Sequence, residues 1–82
     1  MTKDQVKAIS EEYKFQIIRQ HITNEGIGIW KDIKNEIPEL DTLIDSNQYH
    51  RITATKEYMP NGMIRYKVYC PKSWFDLWGW TD

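Results

Sequence analysis

The 82-residue chain holds one cysteine, Cys70, so no internal disulfide can form. A lone thiol at the end of a strand-like run reads as a small buried hydrophobe rather than a nucleophile, which needs a setting that lowers its pKa. Unpaired cysteine fits a reducing compartment, and a cytoplasmic location is expected. No apolar run exceeds two or three residues, far short of the roughly 20 that span a bilayer. The start, Met1-Thr2-Lys3-Asp4-Gln5, is polar and predicts no secretion leader. The two histidines, His21 and His50, stand apart, without a partner at metal-ligand spacing. Ser10, Ser46 and Ser73 carry no nucleophile signature, and no glycine-rich phosphate loop is present. Neither catalysis nor a cofactor nor a metal is therefore expected. Charge of one sign is also lacking. Net charge is −1, with six Lys/Arg against nine Asp/Glu in residues 1–48 and five against three in residues 49–82. General attraction to phosphate cannot dominate at that balance.

Aromatic residues are what the chain has in plenty: four Trp, five Tyr and two Phe. Each buries about 150–250 Å², which suits a domain of this length, where only about 60–65% of the unfolded surface is buried. Three of the four tryptophans crowd the last nine residues, in Trp74-Phe75-Asp76-Leu77-Trp78-Gly79-Trp80. Chain ends fray unless anchored, so this tail either closes the core or grips a partner. Ser73, three residues before Asp76, reads as a helix cap, with Trp74, Leu77 and Trp78 sharing one face and Gly79 as the stop. Phe75 and Trp80 then point elsewhere. Exposed Trp and Tyr build binding hot spots, so Trp74, Phe75, Trp78 and Trp80 are the candidate partner-binding residues.

Along the chain, Thr2 with Gln5 resembles a capping box, and Val6, Ile9, Tyr13, Ile17 and His21 recur at helical spacing. The spacing predicts one long helix from about Lys3 to Thr23, ended near Gly26. Trp30, Ile33 and Ile37 predict a second, shorter helix. Pro38 opens a third over residues 39–45, with acids in its first turn. From Tyr49 the pattern becomes strand. Met59-Pro60-Asn61-Gly62-Met63 suits a type I turn with a bulge, pairing Met59 with Met63. That register sets Ala54 against Val68, Lys56 against Tyr66 and Tyr58 against Ile64 on one face, with Ile52 facing Cys70. Thr53 meets Tyr69, Thr55 meets Lys67 and Glu57 meets Arg65 on the other. The expected fold is a single α+β domain: N-terminal helices, one long and one or two short, then a two-stranded antiparallel hairpin and a short aromatic C-terminal helix.

Three helices followed by a hairpin resemble a winged helix-turn-helix over roughly residues 3–70. The resemblance implies residues 39–47 as recognition helix and Pro60-Asn61-Gly62 as wing tip. Glu39, Asp41 and Asp45 would then meet DNA, the wrong charge for that task. The outward hairpin face, with Arg51, Arg65, Lys67 and Tyr69, is the better nucleic-acid candidate, by analogy with stacking platforms. The acidic run Glu36, Glu39, Asp41 and Asp45 lacks calcium-loop spacing and reads as a solvated helix face. In size and style the chain is similar to small phage accessory proteins: inhibitors of host defence or transcription, and lysis regulators such as antiholins. The leading expectation is a non-enzymatic protein-binding regulator that occupies a partner's surface. A nucleic-acid-binding regulator and a self-associating homodimer are the competing expectations.

Overall fold

The first helix stops early. In a computed structural model that describes residues 3–45 and 52–79, α1 spans Lys3–Glu12 and buries Val6 and Ile9. Lys14 then turns left-handed, with φ 58°. The Phe15 amide reaches back 2.9 Å to the Ser10 carbonyl, a 6→1 closure that caps the helix. Lysine is a costly occupant of that backbone region. Lys14→Gly is therefore expected to raise stability by about 0.5–1 kcal/mol, seen as a higher thermal midpoint; an unchanged or lower midpoint would contradict the strain.

The rest of the expected long helix is strand. β1 spans Gln16–Ile22 and β2 spans Gly26–Ile33, where a second helix was expected. α2, Pro38–Asp45, follows with Pro38 as its first residue and Leu40 and Leu43 buried. β3, Thr53–Tyr58, and β4, Ile64–Pro71, form the hairpin, and α3, Lys72–Trp78, closes the described chain. The strands make one antiparallel sheet in the order β1-β2-β4-β3. The expected two-stranded hairpin after long helices is thus corrected to a four-stranded sheet with three short helices. The period-2 run Ile27, Ile29, Ile33 decides the matter for β2, because alternate positions on a strand share a face and these three are buried.

The hairpin itself keeps the expected register, from Thr53 opposite Tyr69 to Tyr58 opposite Ile64. The Met59 amide donates to Met63 O at 2.8 Å, and the Gly62 amide to Met59 O at 3.0 Å. Ile64, Tyr66, Val68 and Cys70 of β4 face inward with Ile27, Ile29 and Ile33 of β2. Val6 and Ile9 of α1, Leu40 and Leu43 of α2 and Phe75 of α3 pack into the same cluster. All three helices therefore lie on one face of the sheet. Cys70 is buried there, and burial pushes its thiol up to about 12, so it stays protonated and inert at neutral pH.

α2 is fastened to the sheet by a polar knot. The Tyr66 hydroxyl donates to Asp41 Oδ1 at 2.6 Å and accepts from the Ile37 amide at 3.1 Å. Lys56 Nζ lies 3.1 Å from Asp41 and 3.3 Å from Glu36, between the rings of Tyr58 and Tyr66. Two of the four acids from the 36–45 run are thus spent on structure.

Candidate functional site

With helices on one side, the other face of the sheet is built from outward positions alone: Trp30 and Asp32 on β2, Arg65, Lys67 and Tyr69 on β4, Thr53, Thr55 and Glu57 on β3. Its shape comes from β1. Ile18 pairs with Gly28, yet Ile22 pairs with Ile27, so Arg19, Gln20 and His21 are extra residues in a bulge. Bulges re-aim side chains, and they recur beside functional sites. Here the bulge rises along the uncovered face and walls a hollow of about 370 Å³ shared with Trp30, Arg65 and Lys67. A smaller hollow of about 150 Å³ continues from His21 and Lys67 across Gly28 to Thr53, Thr55 and Tyr69. Together they form a shallow groove across the sheet.

Gly28 forms part of its floor, and Gly26 lies beneath Tyr69 at its edge. A Cβ on Gly28 would come within 2.9 Å of His21 Cβ, so the histidine lies against bare backbone. A Cβ on Gly26 would meet Cε1 and Cζ of Tyr69 at 2.6 Å and the Cys70 carbonyl at 2.7 Å. Both glycines are there because something lies on them. Tyr69 is held from its far end as well, its hydroxyl 2.7 Å from Thr23 Oγ1. That oxygen also accepts from the Glu25 and Gly26 amides at 3.2 and 3.1 Å. The ring is therefore laid along the sheet rather than standing off it.

At the other end, Arg65 donates from Nε to Asp32 Oδ1 at 2.7 Å and from its terminal nitrogen to Oδ2 at 2.9 Å. Its guanidinium covers the Trp30 ring at 4.7 Å. The hydrogen bonds from Arg65 hold the Asp32 carboxyl below the usual carboxylate range and raise the guanidinium in turn. Asp32 and Arg65 compensate each other within the stack. No Asp or Glu lines either hollow, while Arg19, Arg65 and Lys67 do. A chain of net charge −1 thus presents a groove lined by three cationic side chains, one of them paired with Asp32.

Arg65, Lys67 and Tyr69 are brought together on this face as their register predicts; Arg51 lies outside the described residues. Sequence reasoning missed Trp30, His21 and Arg19, which it had placed on helices. The tail is divided. Phe75 is 0% exposed, a correction to its expected outward aim, and its ring has no surface to offer a partner. α3 leaves β4 without a spacer, Pro71 being both last strand residue and helix cap, so the strand sets the helix phase. Ser73 is inside the helix and makes no cap. Leu77, expected to dock, is 65% exposed, and Trp74 is partly buried against the core. Trp78 belongs to α3, its side chain outside the description, and Trp80 lies outside the described residues.

Among the described residues, no group of three or more His, Cys, Asp or Glu is placed to hold a metal, and no helix is long and apolar enough to cross a membrane. Comparison with protein families, with curated proteins and with solved structures finds no match to this chain.

Proposed function

We propose that the protein is a non-enzymatic binding module that acts by occupancy, holding an anionic partner in the groove on the uncovered sheet face. The observation that carries this reading is charge placement: Arg19, Arg65 and Lys67 line the groove and no acid does, Arg65 being paired with Asp32 beside it, while Glu36 and Asp41 face Lys56 on the helix-covered side. Close opposite charges steer encounter and set register. The two acids on the open face, Asp32 and Glu57, sit opposite Arg65 on β2 and β3.

The test is retention on immobilised heparin. Wild type is expected to be retained in low salt despite its net negative charge, and Lys67→Glu to pass through. Lys34→Glu makes the same charge change on an exposed residue outside the groove and is expected to elute close to wild type. Equal loss in both variants would reduce the effect to net charge and overturn the reading.

A protein partner held by the tail is the second reading, favoured by Leu77. That residue is 65% exposed on a helix whose Phe75 is anchored in the core. An outward apolar side chain on a fixed helix gains by being covered, because burying its surface removes it from water. In this reading Leu77→Lys abolishes capture of a protein partner and leaves heparin retention intact.

A further inference from the structure

We infer that the anionic partner of the groove is a single-stranded nucleic acid, with Tyr69 as the platform on which one base stacks. This rests on the proposed groove function and adds the feature that charge alone does not explain, the flat ring. Tyr69 is laid over Gly26, tied at its hydroxyl to Thr23, and borders the Gly28 hollow on one side and a second crevice beside Lys72 on the other. A ring fixed along the sheet, only partly buried, offers a π-face without the cost of ordering it on binding. Base–aromatic stacking on such platforms is tolerant of sequence, and a positive groove beside them tracks the phosphates.

Lys67 is the next outward residue of β4 after Tyr69, so a phosphate donor follows the platform about 7 Å along the same strand, while Arg65, the next again, is held by Asp32 and stacked on Trp30. His21, lying over Gly28 between Tyr69 and Trp30, adds a further flat ring, an imidazole, to the same line. A duplex keeps its base faces stacked inside and would find no use for the flat ring, whereas unstacked bases are what aromatic side chains receive. An acidic peptide would satisfy the cations but brings no planar faces.

The experiment is fluorescence anisotropy with an end-labelled 12-nucleotide oligothymidylate, its duplex with oligoadenylate, and a labelled polyglutamate peptide, each titrated with full-length protein in low salt. Single strand is expected to bind at least tenfold tighter than duplex, and the affinity to fall steeply as salt rises. Tyr69→Leu keeps an apolar cover on Gly26 and is expected to lose about tenfold for single strand, the size of one stacked base. Tyr69→Phe keeps the ring and is expected to stay within about threefold of wild type on the same ground. Should Tyr69→Leu fail to fold by circular dichroism, His21→Ala replaces an exposed residue and must then show the loss. Equal binding of single strand and duplex, or Tyr69→Leu matching wild type, overturns the stacking platform while heparin retention keeps the groove reading. Preference for polyglutamate over oligonucleotide overturns it in favour of an acidic protein. No retention on heparin and no oligonucleotide binding overturns both.

Discussion

Phe75→Ala is expected to destabilise the fold by about 3–5 kcal/mol, the cost of deleting a buried phenyl ring and leaving its cavity. Phe75 is 0% exposed and sits in the cluster that joins α1, α2 and the sheet. Total stability for a domain of this length is roughly 4–12 kcal/mol, so the variant should stand near the edge of folding. Each kcal/mol shifts the thermal midpoint by about 4–8 °C at this size, which places the expected drop at roughly 12–40 °C. Leu77→Ala, two positions on and 65% exposed, is expected to change stability by less than about 0.5 kcal/mol. Thermal unfolding followed by far-ultraviolet circular dichroism compares the two. A small effect at Phe75 would mean that α3 is not docked as described, and that the tail ring lies outside the core. The contrast also separates the two roles first expected of the tail, because only an anchored helix can present Leu77 in a fixed place.

The C-terminal half of the fold was legible because its signals are local. Met59-Pro60-Asn61-Gly62-Met63 specifies a turn, the turn specifies a register, and the register sorts side chains onto two faces. Pro38 with acids after it marked α2 for the same reason. The N-terminal half misled because its inward residues are out of strand phase. Ile17 packs against the core and Ile22, five positions on and 39% exposed, pairs with the inward-facing Ile27, a placement that strict alternation forbids; the Arg19–His21 bulge supplies the shift. Without the bulge in view, Tyr13, Ile17 and His21 look like one helical stripe. Nothing short of tertiary structure places three extra residues on an edge strand.

For β2 a signal was present. Ile27, Ile29 and Ile33 alternate with Gly26, Gly28, Trp30 and Asp32, a strand pattern hidden by reading its glycines as a loop. Those glycines are what the groove needs. Outward side chains at 26 and 28 would lift Tyr69 and His21 off the sheet. The half of the site carried by β4 was visible from the hairpin register, and the half carried by β1 and β2 was not. The acidic run shows the opposite error of emphasis. Glu36 and Asp41 looked like a solvated face and are instead the partners of Lys56, Tyr58 and Tyr66.

Tyr66→Phe is expected to cost about 1–3 kcal/mol, because it removes one oxygen, leaving the buried Ile37 amide without its acceptor and the half-buried Asp41 carboxylate with Lys56 but without the phenol donor. The hydroxyl both donates to Asp41 and accepts from the Ile37 amide, and the residue is 0% exposed. Burial and the neighbouring Asp41 push the phenol up to about 12, so at working pH it stays neutral and remains a donor. Burial works to raise the Asp41 carboxyl, but hydrogen bonds from Tyr66 and Lys56 outweigh it and hold the group below the carboxylate range. The sign of the pH effect follows. A carboxyl whose pKa is lower folded than unfolded stabilises the fold fully above its unfolded value, about 3.9, and that contribution is lost as pH falls through the folded value. Asp32, held down by Arg65, acts in the same direction. Wild type should therefore lose urea resistance as pH drops below about 4, and the loss should be shallower in Tyr66→Phe, where Asp41 has lost a donor. Parallel acid profiles for the two proteins would place the acid sensitivity outside this knot.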